Sequence, residues 1–359
     1  MNARQRIFAV LNREPVDRLP VDLWHTPEIG AMLKKHFGVR DELELYKSMK
    51  LDKIFWDFME YKMVGGERAG AQSGAGAETA GNRTLWGVPL KGIQAGSAHY
   101  MEFGEAPMKN FETLESLKDY PWWPNPDQFD YDQAVVLAER ASKDFCVIGP
   151  WVSFYEIYCM LRGLEQSMID LASDPDLVDA ILDRVEAIQT EMMQRFFKRA
   201  KQHLTLVFIS DDVGGQNGML MSPDSWRRHL KPRMVRWCRL IHDAGLRVFY
   251  HSDGGFDPVI HELIDCGIDV LNPVQHVCPG MDMAELKRKY GRRVIFHGGV
   301  DNQGALPFGT PEVVRQEVLD CLRTLGGGKE GYICCSCHNV QPGTPLENIL
   351  TMVKTVQES

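Results

Sequence analysis

Positive charge is in short supply in this chain of 359 residues: 40 Lys and Arg stand against 49 Asp and Glu, for a net charge of −9. A protein that grips a phosphate backbone needs clustered Lys and Arg to displace counterions, so nucleic acid is excluded as a partner. Long apolar runs are missing as well. None approaches the roughly 20 residues of a membrane span. The opening Met1-Asn2-Ala3-Arg4-Gln5-Arg6 leads into an amphipathic stretch, not the apolar core of a signal segment. These absences predict a cytoplasmic protein that does not enter a membrane. An even set of cysteines is also lacking. The nine fall at positions 146, 159, 238, 266, 278, 321, 334, 335 and 337, and without a secretory route they are expected as reduced thiols, not a disulfide framework. No internal repeat, coiled-coil heptad or flexible linker breaks the sequence, which predicts one domain over 1–359.

What is present is a globular composition, 44% hydrophobic and 25% charged, with short apolar runs that alternate with helical patterns. The runs lie at 19–24, 53–57, 145–151, 204–210, 246–251, 269–273, 294–297 and 332–335. Between the later ones the spacing predicts helices over 223–244 (Ser222 as cap, Gly245 as stop), 258–266 (ended by Gly267) and 311–325 (capped by Thr310). Strand–helix alternation implies parallel β/α units. Eight strands in a chain of this length imply an α/β protein of the (β/α)₈ TIM-barrel type. Residues 65–105 stand apart. The Gly- and Ala-rich stretch 65–81 is expected as a mobile loop near the barrel mouth, and 84–100 as a hairpin behind it. Residues 106–133, with Pro107, Pro121, Trp122, Trp123, Pro124 and Pro126, are expected as a rigid surface connection.

In a parallel barrel, chemistry gathers at the C-terminal ends of the strands. Here those ends carry Trp24-His25, Asp57, Trp151 with Tyr155, Asp211-Asp212, His251 with Asp253, Asn272 with Gln275, His297 with Asp301, and Cys334-Cys335-Ser336-Cys337-His338. Zinc takes a few thiolate, imidazole or carboxylate ligands and keeps a position open in catalytic sites. Cys335 and Cys337 share a face if the last strand stays extended, and with His251 and Asp211 or Asp212 they make the expected metal site. No CxxC or HxC pair accompanies them. Asp57 and His297 are expected as proton-moving groups. Trp24, Trp56, Trp151 and Tyr155 are expected around a flat substrate, with His25, Asp253 and Gln275 as further substrate contacts. His297-Gly298-Gly299 reads as a tight turn that lets the backbone approach a ligand.

The ordered series Asp211-Asp212-Val213-Gly214, Phe249-Tyr250-His251-Ser252-Asp253-Gly254, Asp269-Val270-Leu271-Asn272-Pro273-Val274-Gln275, His297-Gly298-Gly299-Val300-Asp301 and Ser336-Cys337-His338-Asn339-Val340-Gln341-Pro342 resembles the uroporphyrinogen decarboxylase superfamily. So do Arg18-Leu19-Pro20-Val21, Leu85-Trp86-Gly87-Val88 and Gly149-Pro150-Trp151, so the likeness runs over almost the whole chain. The resemblance implies a (β/α)₈ barrel and one of two chemistries. The decarboxylases act without metal on the acetate arms of a tetrapyrrole and anchor it with arginines in a segment like RQAGR; here that stretch is Trp24-His25-Thr26-Pro27-Glu28. Asp57 matches their catalytic aspartate. The other branch resembles corrinoid-dependent methyltransferases and O-demethylases, which carry zinc at the rim. Carried over, His251 is their histidine ligand, Cys337 or Cys335 their cysteine, and Asp211 their acidic ligand, while Asp253 stands where their H-x-C motif has cysteine. The expected activity is zinc-dependent transfer of a methyl group from a methoxylated small molecule to the cobalt of a corrinoid. No DxHxxG segment is present, so the corrinoid (cobalamin) is expected on a partner protein. A uroporphyrinogen decarboxylase of porphyrin biosynthesis or a non-catalytic tetrapyrrole binder are the alternatives, and a homodimer is left open.

Overall fold

Residues 1–62, 68–70, 83–95 and 98–359 are described by the structure, a computed structural model. Seven strands form one parallel sheet in chain order: β1 (Ile54–Trp56), β2 (Cys146–Val152), β3 (Leu206–Ser210), β4 (Arg247–His251), β5 (Val270–Asn272), β6 (Ile295–Val300) and β7 (Tyr332–Ser336). Their side chains are almost all buried, as expected when a parallel sheet is covered on both faces. The eighth position is taken by the extended segment 20–25. Val21 pairs in parallel with Cys334 and His25 with Val340, and on the other side Asp52 donates its N–H to Val21 O at 2.8 Å. This segment joins the two edge strands and closes the (β/α)₈ barrel. Each of the eight apolar runs in the sequence supplies one position. β2 contains Pro150, which has no N–H for the ladder, and its pairing with β3 shifts register between Ile148 and Trp151.

The outer helices follow their local signals, with one correction. Thr310 caps Pro311–Leu325, and Gly267 ends Asp257–Cys266 at φ 113°. The expected helix over 223–244 is two helices, Pro223–His229 and Lys231–Asp243. Pro232 explains the break: it has no N–H to donate, and its ring excludes the carbonyl one turn earlier. The longest helix, Pro175–Ala200, buries Leu177, Val178, Ile181, Leu182, Val185, Ile188, Met192 and Phe196 along one stripe. Each such side chain contributes about 1.5–3 kcal/mol when removed from water, so a charge at the fully buried Val185 would break the packing of this helix on the core.

Between β1 and β2 lie two antiparallel ribbons, Glu60–Lys62 with Arg68–Gly70 and Leu90–Ala95 with Ala98–Phe103. The second is the hairpin expected around 84–100. The stretch 65–81, apart from Arg68–Gly70, falls outside the described residues. Residues 106–133 carry two 3-10 turns, Leu114–Leu117 and Pro126–Gln128. They are pinned by aromatic contacts, among them Trp86–Trp123 and Tyr120–Trp123, with centroids 6.4 and 5.3 Å apart. Among the described residues no helix is long and apolar enough to cross a membrane.

Candidate functional site

Strand register decides which rim residues meet. Alternation along β4 turns Phe249 and His251 into the barrel, and His251 pairs with Ser210 on β3 and Asn272 on β5. Phe208 of β3 stacks on the His251 ring at 5.6 Å, and Trp24 lies 5.8 Å from it. Beneath the mouth is a fully buried polar group. The Asp22 carboxylate accepts from Leu23 N at 2.7 Å, Lys53 Nζ at 3.0 Å, Trp24 Nε1 at 3.2 Å and His297 Nε2 at 3.2 Å. Burial raises its pKa, but the Lys53 ammonium and the His297 bond outweigh that and hold it at about 2. Burial lowers the pKa of His297. His297 Nδ1 faces Asn272 Nδ2 at 2.8 Å, and Asn272 Oδ1 lies 2.6 Å from His251 Nδ1.

The Asn272 amide fits there because residue 298 is glycine. A Cβ at that position would approach Asn272 Nδ2 to 3.2 Å, and Gly298 sits at φ 92°. Gly298 and Gly299 lie inside β6, so the expected tight turn is absent. The glycines admit a neighbouring side chain instead of a ligand.

Above this group, Asp212, His251, Asp253 and His338 face one another across the mouth. His251 Nε2 is 3.8 Å from Asp212 Oδ1 and 3.9 Å from Asp253 Oδ1, and His338 Nε2 is 4.0 Å from Asp253 Oδ2. Ligand atoms of His251, Asp253 and His338 all lie within 4.8 Å of one another. These separations are too long for hydrogen bonds and close to the roughly 3.4 Å between ligand atoms around a tetrahedral zinc. The loops that carry them are laced together. Asp253 N donates to Asp212 Oδ1 at 2.7 Å, Gly254 N to Gln275 Oε1 at 2.8 Å, and Val213 N to Ser252 Oγ at 3.1 Å. At Gly254, φ 80°, a Cβ would stand 2.4 Å from the Gly215 backbone.

The cluster opens into a cavity of about 470 Å³. One wall is aromatic: Trp24, Trp56, Phe58 and Phe208 pack in a circuit with centroids 4.8, 5.4, 5.6 and 5.9 Å apart, and Trp151 joins it. The opposite wall holds His25, Thr26, Glu42, Asn339 and Gln341, with Lys34 paired to Glu42 at 2.6 Å. A neighbouring cavity of about 930 Å³ shares Glu156 and Asp212 and is lined by Tyr155.

The structure thus splits the expected metal site. His251 stands at the mouth, but Cys335 lies below it against Asp22 and His297. That buried trio is a poor cation site: both Asp22 oxygens are already bonded, and the Lys53 ammonium sits against them. Cys337 follows the last residue of β7, where alternation no longer applies. Its Sγ points to Val274 O at 3.5 Å, and burial pushes its pKa far up. Asp211 is turned into the protein, where its Oδ1 accepts from Ser153 Oγ, Phe154 N and Tyr155 N at 2.8, 2.9 and 2.5 Å, at the start of helix Tyr155–Arg162. Burial raises its pKa to about 7 against those bonds.

Asp57 does not line the cavity. Trp56 and Phe58 do, and the Asp57 carboxyl faces Ala138 behind the sheet, with its pKa raised by burial to about 8. Of the expected substrate contacts, Trp24, His25 and Trp151 line the mouth cavity, Asp253 stands in the cluster, and Gln275 braces the loop beneath it. The reading of strand ends passed over Asp22 and Lys53. Their signal was a charged residue within an otherwise apolar strand.

A (β/α)₈ barrel with imidazoles and carboxylates converging at the C-terminal ends of its strands is an enzyme scaffold with a rim site. Residues 102–359 match the family described as "Uroporphyrinogen decarboxylase (URO-D)", and the chain belongs to that family. A uroporphyrinogen decarboxylase of Thermus thermophilus is 28% identical over 181 residues, 50% of this chain and 49% of that protein. That of Prochlorococcus marinus is 24% identical over 262 residues, 70% and 69% of the two chains. In the Thermus alignment the chain spans about half the length of its curated relative. A solved methyltransferase from Methanosarcina mazei shares the fold, with a TM-score of 0.67 and 18% identity over 100% of this chain and 99% of that one.

Proposed function

We propose that this chain is a metal-dependent methyltransferase that moves a methyl group from a methoxylated aromatic compound to the cobalt of a separate corrinoid protein. The observation that carries the reading is the cluster of His251, His338, Asp212 and Asp253, three of which (Asp212, His251 and His338) line an aromatic-walled cavity. Its donor set of two imidazoles and two carboxylates suits zinc or a similar divalent ion. These four residues would hold the ion, in place of the thiolates that the family resemblance implies. When bound, zinc would supply Lewis acidity to the ether oxygen. The ring circuit of Trp24, Trp56, Phe58 and Phe208 gives a flat substrate an apolar wall and excludes water from one face. In the transfer the methyl C–O bond breaks and its electron pair stays on oxygen. Cobalt(I) provides the pair for the new bond to carbon, and the oxygen takes up a proton. Asp57 and His297 do not reach the cavity, so the reading assigns that proton to neither. With His338 holding the ion, the half-exposed rim leaves the proton to solvent.

The relatives' names favour a second reading, decarboxylation of uroporphyrinogen. That octacarboxylate needs cationic partners, and the cavity wall offers Lys34 already engaged by Glu42. Metal analysis of the purified protein, followed by a methyl-transfer assay with a methoxybenzene and a reduced corrinoid protein, tests the proposal. About one divalent ion per chain and activity abolished by a chelator are expected. Metal-free protein that consumes uroporphyrinogen would replace this reading with the second.

A further inference from the structure

Buried side chains from three strands and the segment 20–25 form a continuous hydrogen-bonded chain from the barrel interior to the mouth. It runs Asp22 Oδ2 to His297 Nε2 (3.2 Å), His297 Nδ1 to Asn272 Nδ2 (2.8 Å), and Asn272 Oδ1 to His251 Nδ1 (2.6 Å). Its members are satisfied in only one direction. A carboxylate accepts and does not donate, so His297 must carry its hydrogen on Nε2. A neutral imidazole has one N–H, which leaves Nδ1 as an acceptor in need of a donor. The Asn272 NH₂ is that donor, and it also faces His297 O at 3.4 Å. The amide oxygen is therefore turned to His251, whose Nδ1 must carry the hydrogen. The lone pair of His251 is left on Nε2, the atom facing Asp212 and Asp253. Reversing the chain would bring two acceptors, His297 Nε2 and Asp22 Oδ2, together inside the barrel. Lys53, 3.0 Å from Asp22 Oδ1, keeps Asp22 in its accepting state.

We propose that Asp22 is a positioning residue that, through His297 and Asn272, sets which nitrogen of His251 presents its lone pair to the mouth. The site then meets an incoming cation with a ligand already oriented and in the right tautomer, as outer partners of metal-bound histidines do. Asp22 touches no member of the rim cluster; it also accepts from the cavity-lining Trp24 Nε1, but only the chain through His297 and Asn272 acts on the His251 tautomer. The metal arm of the test rests on the proposed function; the tautomer arm does not.

The experiment uses metal-free, ¹⁵N-histidine-labelled protein and long-range ¹H–¹⁵N correlation, with His251→Gln to assign the signals. The wild type is expected to show His251 protonated on Nδ1. The double variant Asp22→Leu/Lys53→Met removes the acceptor and its counter-charge together, and is expected to move the His251 hydrogen toward Nε2. Its affinity for Zn²⁺ alone should fall about 10- to 100-fold. Asn272→Asp accepts from both imidazoles, so it should keep the His251 tautomer and add a hydrogen to His297 Nδ1, making His297 an imidazolium held between two carboxylates; this second variant decides the matter if the first does not fold. A wild-type His251 protonated on Nε2, a double variant with an unchanged tautomer, or an Asn272→Asp variant with an unchanged His297 overturns the proposal. A wild type with the expected tautomer that binds no Zn²⁺ overturns the proposed function and leaves the positioning chain standing.

Discussion

The two ends of the barrel treat carboxylates in opposite ways. At the N-terminal end Asp52, 1% exposed, takes the guanidinium groups of Arg6 and Arg18 and the N–H of Val21. Asp269 at the foot of β5 likewise takes His242 at 2.8 Å, Arg247 at 3.2 Å and Val248 N at 2.7 Å. At the C-terminal end Asp212 and Asp253 have neither Arg nor Lys within ion-pair distance among the described residues; they face two imidazoles at 3.8–4.0 Å. The barrel foot closes its charges on one another and holds the fold together. The mouth leaves its charges facing a shared space, which is an arrangement for a ligand. This division follows from parallel topology, which puts every strand's C-terminal loop at one end.

Breaking the foot should cost the most. Asp52→Ala leaves Arg6 and Arg18 without their buried partner and is expected to lower stability by about 3–5 kcal/mol. Urea unfolding would show this, while the metal content of the folded protein stays unchanged. A loss below about 1 kcal/mol would mean that the foot network is not structural.

Next comes Asp57, a buried carboxyl that belongs to neither end. Its folded pKa of about 8 lies above the roughly 3.9 of an unfolded Asp. Its contribution is therefore fully present below about pH 4 and is lost as pH rises toward 8. Asp57→Asn should flatten that decline and gain a few kcal/mol at pH 8, counting about 1.4 kcal/mol per unit. Unfolding curves at pH 5 and 8 that fall in parallel for the two proteins would contradict this.

At the mouth, His338→Ala should weaken Zn²⁺ binding by about 10- to 100-fold, on the scale of losing one well-placed interaction. The metal-free protein should keep its stability within about 0.5 kcal/mol, since the ring is 41% exposed. Cys337→Ala sharpens the contrast: Zn²⁺ affinity is expected to stay within a few-fold of wild type. Calorimetric titration of both variants separates a rim built on His338 from one built on the thiol. The smallest effect belongs to the surface pair Lys118–Glu115, whose groups are 69% and 76% exposed. Lys118→Ala should shift the melting temperature by an amount worth under about 0.5 kcal/mol.

The strands were legible because each is a short apolar run, and a buried parallel strand has no polar face to disguise it. The break at Pro232 was legible too, from proline chemistry alone, yet the apolar periodicity on either side masked it. Parity was less readable. Cys335 and Cys337 share a face only while β7 stays extended, and the strand stops at Ser336. Asp57 alternates with Trp56 and Phe58, so a shift of one residue exchanges cavity for outer face. Asp22 was visible as an acid in the apolar run Pro20-Val21-Asp22-Leu23-Trp24, but not its distant partners, His297 on β6 and Lys53 on the approach to β1.

Local chemistry along the chain determined the eight β/α repeats, their caps and stops, and a rim crowded with imidazole, carboxylate, thiol and indole. Those are properties of neighbours in sequence, set by propensity, periodicity and turn geometry. Only closure of the barrel decided that His251 meets His338, Asp212 and Asp253 while Cys335 is left beneath with Asp22 and His297. Which side chains face one space depends on strand register and on where each strand ends, and both are settled between strands far apart in the chain.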